Sequence, residues 1–139
     1  MAKLMQLEIL TPDKSLLLKD NVSYLLAETV VGGVGVFANH APLIATLVEA
    51  PFKYQDEKGV NHFLCLDGGF MEVNNNKVTI LSVSAEAAEN INVARAELAR
   101  ERAETKLANP EPITNIPEVQ RNLRRAKARL KTVELAKQR

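Results

Sequence analysis

The sequence predicts an α+β, mainly β protein, in which an antiparallel β-sandwich or flattened barrel of about ten short strands (eight to ten) precedes a two-helix hairpin. Three observations support this fold. Short apolar runs separated by turn residues fill the first 84 positions, the pattern then becomes rich in Ala, Glu and Arg, and a segment with two prolines divides that second part. We therefore expect a sandwich over residues 1–85 and a helical hairpin over residues 86–139.

The composition is that of an ordinary soluble domain, with 46% hydrophobic and 25% charged residues in a chain of 139. Aromatic residues make up 4% and there is no Trp, which argues against a stacking platform for nucleobases. The single cysteine, Cys65, cannot form an internal disulfide and is expected in the core. The first residues lack the apolar segment of a secretory signal, and no run approaches the roughly 20 apolar residues of a membrane helix.

The net charge of +1 conceals a division between the two parts. Residues 1–87 carry six Lys, no Arg and ten acidic residues, a net charge of −4. Residues 88–139 carry twelve basic residues and seven Glu, a net charge of +5. The two parts could therefore attract each other, or each could seek its own partner.

Alternating apolar residues and turn signals predict the strands of the first part in order. We expect strands at residues 5–9, 16–18, 22–31, 43–48, 52–54, 60–66, 70–73 and 78–83. We expect turns at residues 11–14, 19–21, 56–59 and 74–77, where Pro, Asp, Asn and Gly cluster. The glycines at 32–35 are expected to break the chain between strands, and Gly68-Gly69 to allow a bulge or a close backbone approach.

The residue pattern of the second part, residues 86–139, predicts two helices. The first is expected over residues 86–107, with Asn92 able to cap its start and Ile91, Ala94 and Leu98 on a modest apolar face. The two prolines of residues 109–112 end it. The second is expected over residues 117–138, with Pro117 in its first turn. Its apolar residues form a narrow stripe that one neighbouring helix could cover: Val119, Leu123, Ala126, Leu130 and Val133.

The usual signatures of catalysis are missing from the sequence. The glycines at 32–35 are followed by neither Lys-Ser nor a helix pattern, so a strand connection is favoured over a phosphate loop. His40 and His62 have no partner at metal-ligand spacing, and Cys65 does not complete a site. We therefore predict no enzyme activity and no metal. His40, in the corner formed by residues 39–42, is expected to cap a turn or to touch a partner.

The basic residues of the second helix allow several interpretations. They could form a solvated face, contact an acidic protein, hold the phosphates of a nucleotide, or bind nucleic acid through its backbone. Because Arg121, Arg125 and Arg129 are four residues apart, their guanidinium groups can share one side of the helix. The acidic first part argues against a free nucleic-acid-binding module.

In order and spacing, the motifs of this chain resemble those of the epsilon subunit of F-type ATP synthase. The resemblance covers nearly the whole length, and it rests on Gly32-x-x-Gly35, Asn39-His40-Ala41-Pro42-Leu43, Gly68-Gly69-Phe70-x-Glu72-Val73, Val78-Thr79-Ile80-Leu81, Ala85-Glu86, Ile91-Asn92-x-x-Arg95-Ala96 and Leu123-x-Arg125-Ala126-x-Ala128-Arg129-Leu130. Each motif alone is common, but the ordered set is specific.

The resemblance implies a non-catalytic subunit of the central stalk, which couples proton translocation to ATP synthesis. Its sandwich would dock on the gamma subunit and the ring of c subunits, with contacts expected at Gly33, Val34, His40 and Pro42. Its hairpin would be mobile, packing on the sandwich or extending to acidic segments of the alpha and beta subunits to block ATP hydrolysis. The expected inhibitory contacts are Arg121, Arg124, Arg125, Lys127 and Arg129. The subunit would be peripheral, on the cytoplasmic face of the plasma membrane or on the thylakoid membrane.

The resemblance also implies a regulatory ATP site in the folded hairpin, although no cofactor is required. The residues that match the family pattern are Glu86, Ile91, Arg95, Ala96, Arg125 and Arg129. The chain departs from the wider family pattern at four places, one of which is Glu49-Ala50, where a Pro-Gly turn is common. Asn92 replaces an Asp, which removes one carboxylate. Gly33 replaces a residue that is often acidic, and Ala38 replaces a Pro before the Asn-His pair.

Overall fold

The computed structural model describes residues 3–138. The strands are β1 (Met5–Leu10), β2 (Ser15–Thr29), β3 (Gly32–Phe37), β4 (Leu43–Asp56), β5 (Asn61–Asn74), β6 (Lys77–Leu81) and β7 (Ala85–Ala87). A 3-10 turn (Ala88–Asn90) leads to the helices α1 (Val93–Ala108) and α2 (Ile116–Lys137). A β-sandwich followed by a two-helix hairpin is thus confirmed.

The sheet closes on itself through its first strand. β1 pairs with β2 in the antiparallel sense and with β6 in the parallel sense, so the sandwich is not wholly antiparallel as predicted. The strand order is β1-β6-β5-β4-β2-β3, with β7 added beside β5. The interior of this flattened barrel is filled by the alternate apolar residues of the strands, among them Leu7, Ile9, Val22, Leu25, Phe52, Met71, Val73, Val78 and Ile80.

The prediction of about ten strands was wrong, because the described residues form seven longer ones. β2 runs through residues 19–21, where its register with β1 shifts between the pairs Met5–Val22 and Leu7–Lys19. β4 likewise runs through residues 49–51, which stay paired with β5. Polar and proline residues at these places mark irregularities that bend a strand rather than ends that terminate it.

The Gly68-Gly69 pair provides the predicted irregularity within β5. Both glycines have positive φ angles, and a Cβ atom on Gly69 would lie 1.9 Å from the Leu81 carbonyl oxygen. Only glycine fits such a close approach of two backbones. β5 therefore turns here without leaving the sheet, and Asp67 lies just before the turn, beneath α2.

The glycines at 32–35 do not break the chain, which corrects the sequence prediction. They belong to β3, which pairs with β2 from Thr29–Gly32 to Tyr24–Phe37. The reversal lies one step earlier, at Val30-Val31, where the Thr29 hydroxyl donates to the Gly32 carbonyl and accepts from the Val31 N–H. β3 is an edge strand, because it lies at the end of the strand order and, among the residues that the structure describes, pairs only with β2.

The first helix begins at Val93 rather than at residue 86. Glu86 instead lies in β7, where it pairs with Cys65 of β5, and the chain then passes through the 3-10 turn. Asn92 caps α1 as predicted, since its side chain accepts a hydrogen bond from the Arg95 N–H. Asn115 caps α2 in the same way through the Glu118 N–H.

Candidate functional site

Helix α2 packs on the sandwich as well as on α1. It lies across β4 and β5, where Ala128 and the partly buried Val133 pack with Cys65 and Ile91. Thr132 has no exposed surface, and its hydroxyl donates to the Ala128 carbonyl at 2.7 Å. The predicted stripe includes Val119, Ala126 and Val133, but it misses Ala128 and Thr132, which complete the buried face against the sandwich.

Three carboxylates of the sandwich meet three arginines of α2. The Arg125 Nε donates to Asp67 Oδ2 at 2.9 Å. The Arg129 Nε is 3.4 Å from Glu86 Oε1, and the Arg124 Nε is 3.6 Å from Glu49 Oε2. The carboxylates come from β5, β7 and β4 respectively. The opposite net charges of the two parts are therefore brought together in the docked hairpin.

Cys65 lies beneath this contact. Burial raises the pKa of its thiol above the ordinary value, and the nearby Thr132 hydroxyl and Arg129 charge oppose that shift. A thiol that is both protonated and covered reacts slowly with electrophiles. The prediction of a core position is confirmed, because Cys65 is buried.

A groove of about 500 Å³ runs between α1 and α2. Its floor is formed by small residues, including Ala96, Ala99, Ala103 and Ala126. Its polar lining consists of Glu86, Asn92, Arg95, Arg102, Lys106, Asn122, Arg125 and Arg129. Five of these side chains are cationic and one is a carboxylate, so the groove favours an anion.

The groove brings together most of the residues expected to hold a nucleotide. Glu86, Arg95, Ala96, Arg125 and Arg129 line it, whereas Ile91 points into the apolar cluster under α2. Sequence reasoning missed Arg102 and Lys106. They follow Arg95 at intervals of seven and four residues, so helical spacing could have placed them on the same face of α1.

The residues expected to make inhibitory contacts divide into two sets. Arg124, Arg125 and Arg129 are engaged with sandwich carboxylates. Arg121 and Lys127 are exposed, and within residues 3–138 neither has a carboxylate at salt-bridge distance. Only the second set is free to meet a partner while α2 is docked.

The residues expected at the rotor contact lie at two places on the sandwich. Gly33 and Val34 belong to β3, where Gly33 faces the Glu28 carboxylate. Pro42 is exposed, and His40 has a local role, since its Nδ1–H donates to the Ala41 carbonyl at 2.6 Å. His40 thus stabilises a turn, which is one of the two roles predicted for it.

Sequence reasoning missed an exposed apolar surface beside these residues. Thr46, Phe70 and Leu81 are in register across β4, β5 and β6, and Ile44 lies two residues from Thr46. We call this surface, together with the β2–β3 turn, the apolar face: Val30, Val31, Ile44, Phe70, Leu81 and Val83, all exposed. Patches of this kind mark interaction sites. Alternation could have identified its strand members, because Ile44, Phe70 and Leu81 occupy positions that point away from the core.

Two absences concern the described part of the chain. No cluster of three or more His, Cys, Asp or Glu side chains there could hold a metal ion. Neither helix within residues 3–138 has the length and apolar character needed to cross a membrane.

Two family models match consecutive parts of the chain. The beta-sandwich domain of the ATP synthase Delta/Epsilon chain matches residues 4–88, and the long alpha-helix domain of that chain matches residues 89–134. Among curated relatives, an ATP synthase epsilon chain of Pelotomaculum thermopropionicum is 49% identical over 106 residues, which cover 76% of this chain and 78% of the relative. An ATP synthase epsilon chain of Staphylococcus aureus is 37% identical over 131 residues, or 94% and 97% of the two chains.

Solved structures share the fold. A chain of the Euglena gracilis mitochondrial ATP synthase (OSCP/F1/c-ring) superimposes with a TM-score of 0.82 at 24% identity, covering 90% of this chain and 78% of that one. A chain from the central stalk and c-ring of the Tetrahymena thermophila mitochondrial ATP synthase gives a TM-score of 0.54 at 20% identity, covering 96% and 94%.

Proposed function

Because the chain belongs to the ATP synthase delta/epsilon family, we propose that α1 and α2 form a mobile regulatory arm that restrains ATP hydrolysis. The subunit is a non-catalytic part of the central stalk, and it couples proton translocation to ATP synthesis. It is peripheral to the membrane complex. We further propose that the mobile arm is the part of the predicted 86–139 hairpin that follows β7, residues 88–139, because Glu86 pairs with β5. We propose that the complex faces the cytoplasm at the plasma membrane or lies on the thylakoid membrane.

The observation that supports this proposal is the kind of contact that α2 makes with the sandwich. Its contact with the sandwich includes a small cluster around Cys65 and three ion pairs whose arginines are each at least one third exposed. Ion pairs with this much contact with water contribute about 0–1 kcal/mol each, and the Arg125–Asp67 pair, whose carboxylate is 10% exposed, should contribute the most of the three. The docked arm is therefore one side of an equilibrium that a partner can shift, not an inseparable part of the core.

Release of α2 would free the cations that the sandwich now neutralises. Arg124, Arg125 and Arg129 would join Arg121 and Lys127 on one strongly positive helix. Such a helix suits acidic segments of the alpha and beta subunits, since opposite charges favour encounter and register. In this position the arm would oppose rotation and thereby hydrolysis.

The apolar face is the surface that we assign to the gamma subunit and the c-ring. Its exposed Phe70, Leu81 and Ile44 can provide the buried centre of an interface. The turn at Val30-Val31 and the neighbouring Gly33 and Val34 would complete it, with Pro42 and His40 at its margin. Glu28, opposite Gly33, supplies a carboxylate where the family pattern often has one at position 33.

A second function, the sensing of ATP, is favoured by the groove between the helices. Arg95, Arg102 and Lys106 line it, and none of them has a carboxylate at salt-bridge distance among residues 3–138. Unpaired cations of this kind can hold phosphates. Calorimetric titration with ATP should give binding that Arg95→Ala abolishes and that Arg121→Ala, on the outside of α2, leaves intact. Equal heats from the two variants would contradict the site.

The inhibitory role can be tested without disturbing the docked state. Arg121→Gln together with Lys127→Gln removes two charges that take no part in docking, so the arm should still dock but should bind the alpha and beta subunits less strongly. We expect faster ATP hydrolysis by the assembled enzyme, approaching the rate obtained when residues 88–139 are deleted. The deletion keeps β7, which pairs with β5.

The matched control is Lys14→Gln together with Lys58→Gln, which removes two exposed charges from turns of the sandwich. This control should leave hydrolysis unchanged. If the deletion of residues 88–139 left hydrolysis at the level of the intact subunit while assembly was preserved, the arm would have no inhibitory role.

A further inference from the structure

Two carboxylates face each other on the sandwich beneath α2. Glu49 of β4 and Asp67 of β5 are directly paired in register, and their side chains are 18% and 10% exposed. Like charges placed opposite each other on one face of a sheet repel, and withdrawal from water adds to the cost. This surface therefore carries an unfavourable charge pair that cations from elsewhere in the chain can relieve.

Consecutive arginines of α2 supply those cations. Arg124 reaches Glu49 at 3.6 Å, while Arg125 reaches Asp67 at 2.9 Å. The second contact has the shorter distance, the more buried carboxylate and the less exposed guanidinium. Because water screens it less, it should contribute more to docking than the Arg124–Glu49 contact.

Arg125 also faces the groove, where the same guanidinium would have to hold a phosphate. Its Nε is engaged by Asp67, and its Nη1 lies 3.4 Å from the Asn122 Oδ1. An arginine binds phosphate best through two parallel N–H groups. In the docked arm, part of this fork is already occupied by a carboxylate of the sandwich.

We propose that Asp67 substitutes for a phosphate at Arg125, so that α2 docks without a nucleotide and a triphosphate in the groove competes with Asp67. This inference rests on the proposed function, since it concerns the same arm and the same groove. It follows that the position of the arm depends little on ATP while Asp67 is present. Without Asp67, the arm should leave the sandwich more often. ATP should bring it back, because Glu86 of β7 lines the groove together with both helices, so the groove is complete only in the docked arm.

The buried thiol of Cys65 allows a test on the full chain. Its labelling rate by a soluble maleimide is measured with and without magnesium ATP in wild type and in Asp67→Asn. Asp67 also affects the thiol electrostatically, so the rates of different chains cannot be compared directly. For each chain we therefore divide the labelling rate of its Thr132→Arg version, in which α2 is designed to stay away from the sandwich, by the labelling rate of the chain itself. The ratio is a protection factor that reports docking alone. Glu104→Gln, which breaks the exposed pair with Arg100 on α1, is the matched control.

We expect the Asp67→Asn protection factor to fall roughly tenfold, as for the loss of a partly buried hydrogen bond between charged groups. ATP should restore most of that loss, whereas it should change the wild-type and Glu104→Gln values by less than about twofold. In an Arg125→Gln background, Asp67→Asn should have no further effect. Arg125→Gln alone breaks the same contact from the helix side, which keeps the test decisive if Asp67→Asn does not fold.

The proposal would be overturned if Asp67→Asn kept the wild-type protection factor. It would also fail if ATP protected the wild type as strongly as the variant, or if Asp67→Asn caused an equal further loss in the Arg125→Gln background. These measurements are made on the free chain. A negative result is therefore distinguishable from failure of the inhibitory role, which is measured as ATP hydrolysis by the assembled enzyme.

Discussion

Thr132 of α2 lies beside Cys65 of β5, with exposed fractions of 0% and 8%. One residue belongs to the arm and the other to the sandwich, so their contact exists only while the arm is docked. Because Cys65 is the sole cysteine of the sequence, its reactivity reports the position of the arm without any added label.

Thr132→Arg should release the arm. An arginine at this position would bury a charge without a partner, which costs several kcal/mol, so we expect Cys65 to react with maleimide at least roughly a hundredfold faster. Lys127→Arg, on the exposed side of the same helix, should leave the rate unchanged. Slow labelling of the Thr132→Arg chain, with its sandwich still folded, would show that α2 does not cover the thiol.

Salt should also loosen the arm. Raising the salt concentration from about 0.1 M to about 1 M shortens the screening length from roughly 10 Å to roughly 3 Å, which weakens exposed ion pairs such as Arg124–Glu49. We expect Cys65 labelling to accelerate a few-fold in the wild type and less in Glu49→Gln, which has already lost that pair. Identical salt dependence in the two chains would contradict an electrostatic contribution from Glu49.

Gly69→Ala should strongly destabilise the sandwich. The added Cβ would meet the Leu81 carbonyl oxygen at 1.9 Å while φ is +121°. We expect a loss of more than about 3 kcal/mol in the free energy of unfolding, measured with urea. Gly59→Ala is the matched comparison, because Gly59 has a φ of +81° but open space around it, and it should lose only about 1 kcal/mol.

Asp56 should make stability depend on pH in the acid range. Its hydrogen bond with His62, aided by the N–H groups of Val60 and Lys58, lowers the pKa of Asp56 despite an opposing effect of desolvation. The folded pKa is below the unfolded value of about 3.9, so this contribution is complete above that pH and is lost as the pH falls through the folded pKa. The difference in unfolding free energy between wild type and Asp56→Asn should therefore shrink below about pH 4. A difference that is constant across the acid range would contradict this assignment.

The general architecture could be predicted from the sequence because local signals agree with it. The alternation around Leu7 and Ile9, the proline-containing linker and the Asn92 cap each depend on neighbours within a few residues, and all three are confirmed. The strand count could not be obtained in this way. Whether residues 19–21 or Gly68-Gly69 end a strand or bend it is decided by pairing with distant residues, which local propensity does not contain.

The candidate site in the hairpin shows the same contrast between local signals, which could be predicted, and long-range contacts, which could not. Arg125 and Arg129 could be singled out from their spacing, but not their partners, since Asp67 and Glu86 are 58 and 43 residues away in the sequence. The apolar face of α1 was also predicted wrongly. Leu98 is exposed, whereas Ala96 and Ala103 are buried, so α1 turns its alanines and not its leucine toward α2.

The central claim is that the docked arm permits ATP hydrolysis and that its release restrains hydrolysis. Thr132→Cys places a second thiol beside Cys65, so oxidation can lock the arm on the sandwich, and Thr132→Ser controls for effects of oxidation elsewhere. The decisive measurement is the ATP hydrolysis rate of the assembled enzyme with Thr132→Cys, before and after reduction. We predict faster hydrolysis in the oxidised, locked state and a return of inhibition on reduction. Equal rates in the two states, with the disulfide confirmed, would contradict the account.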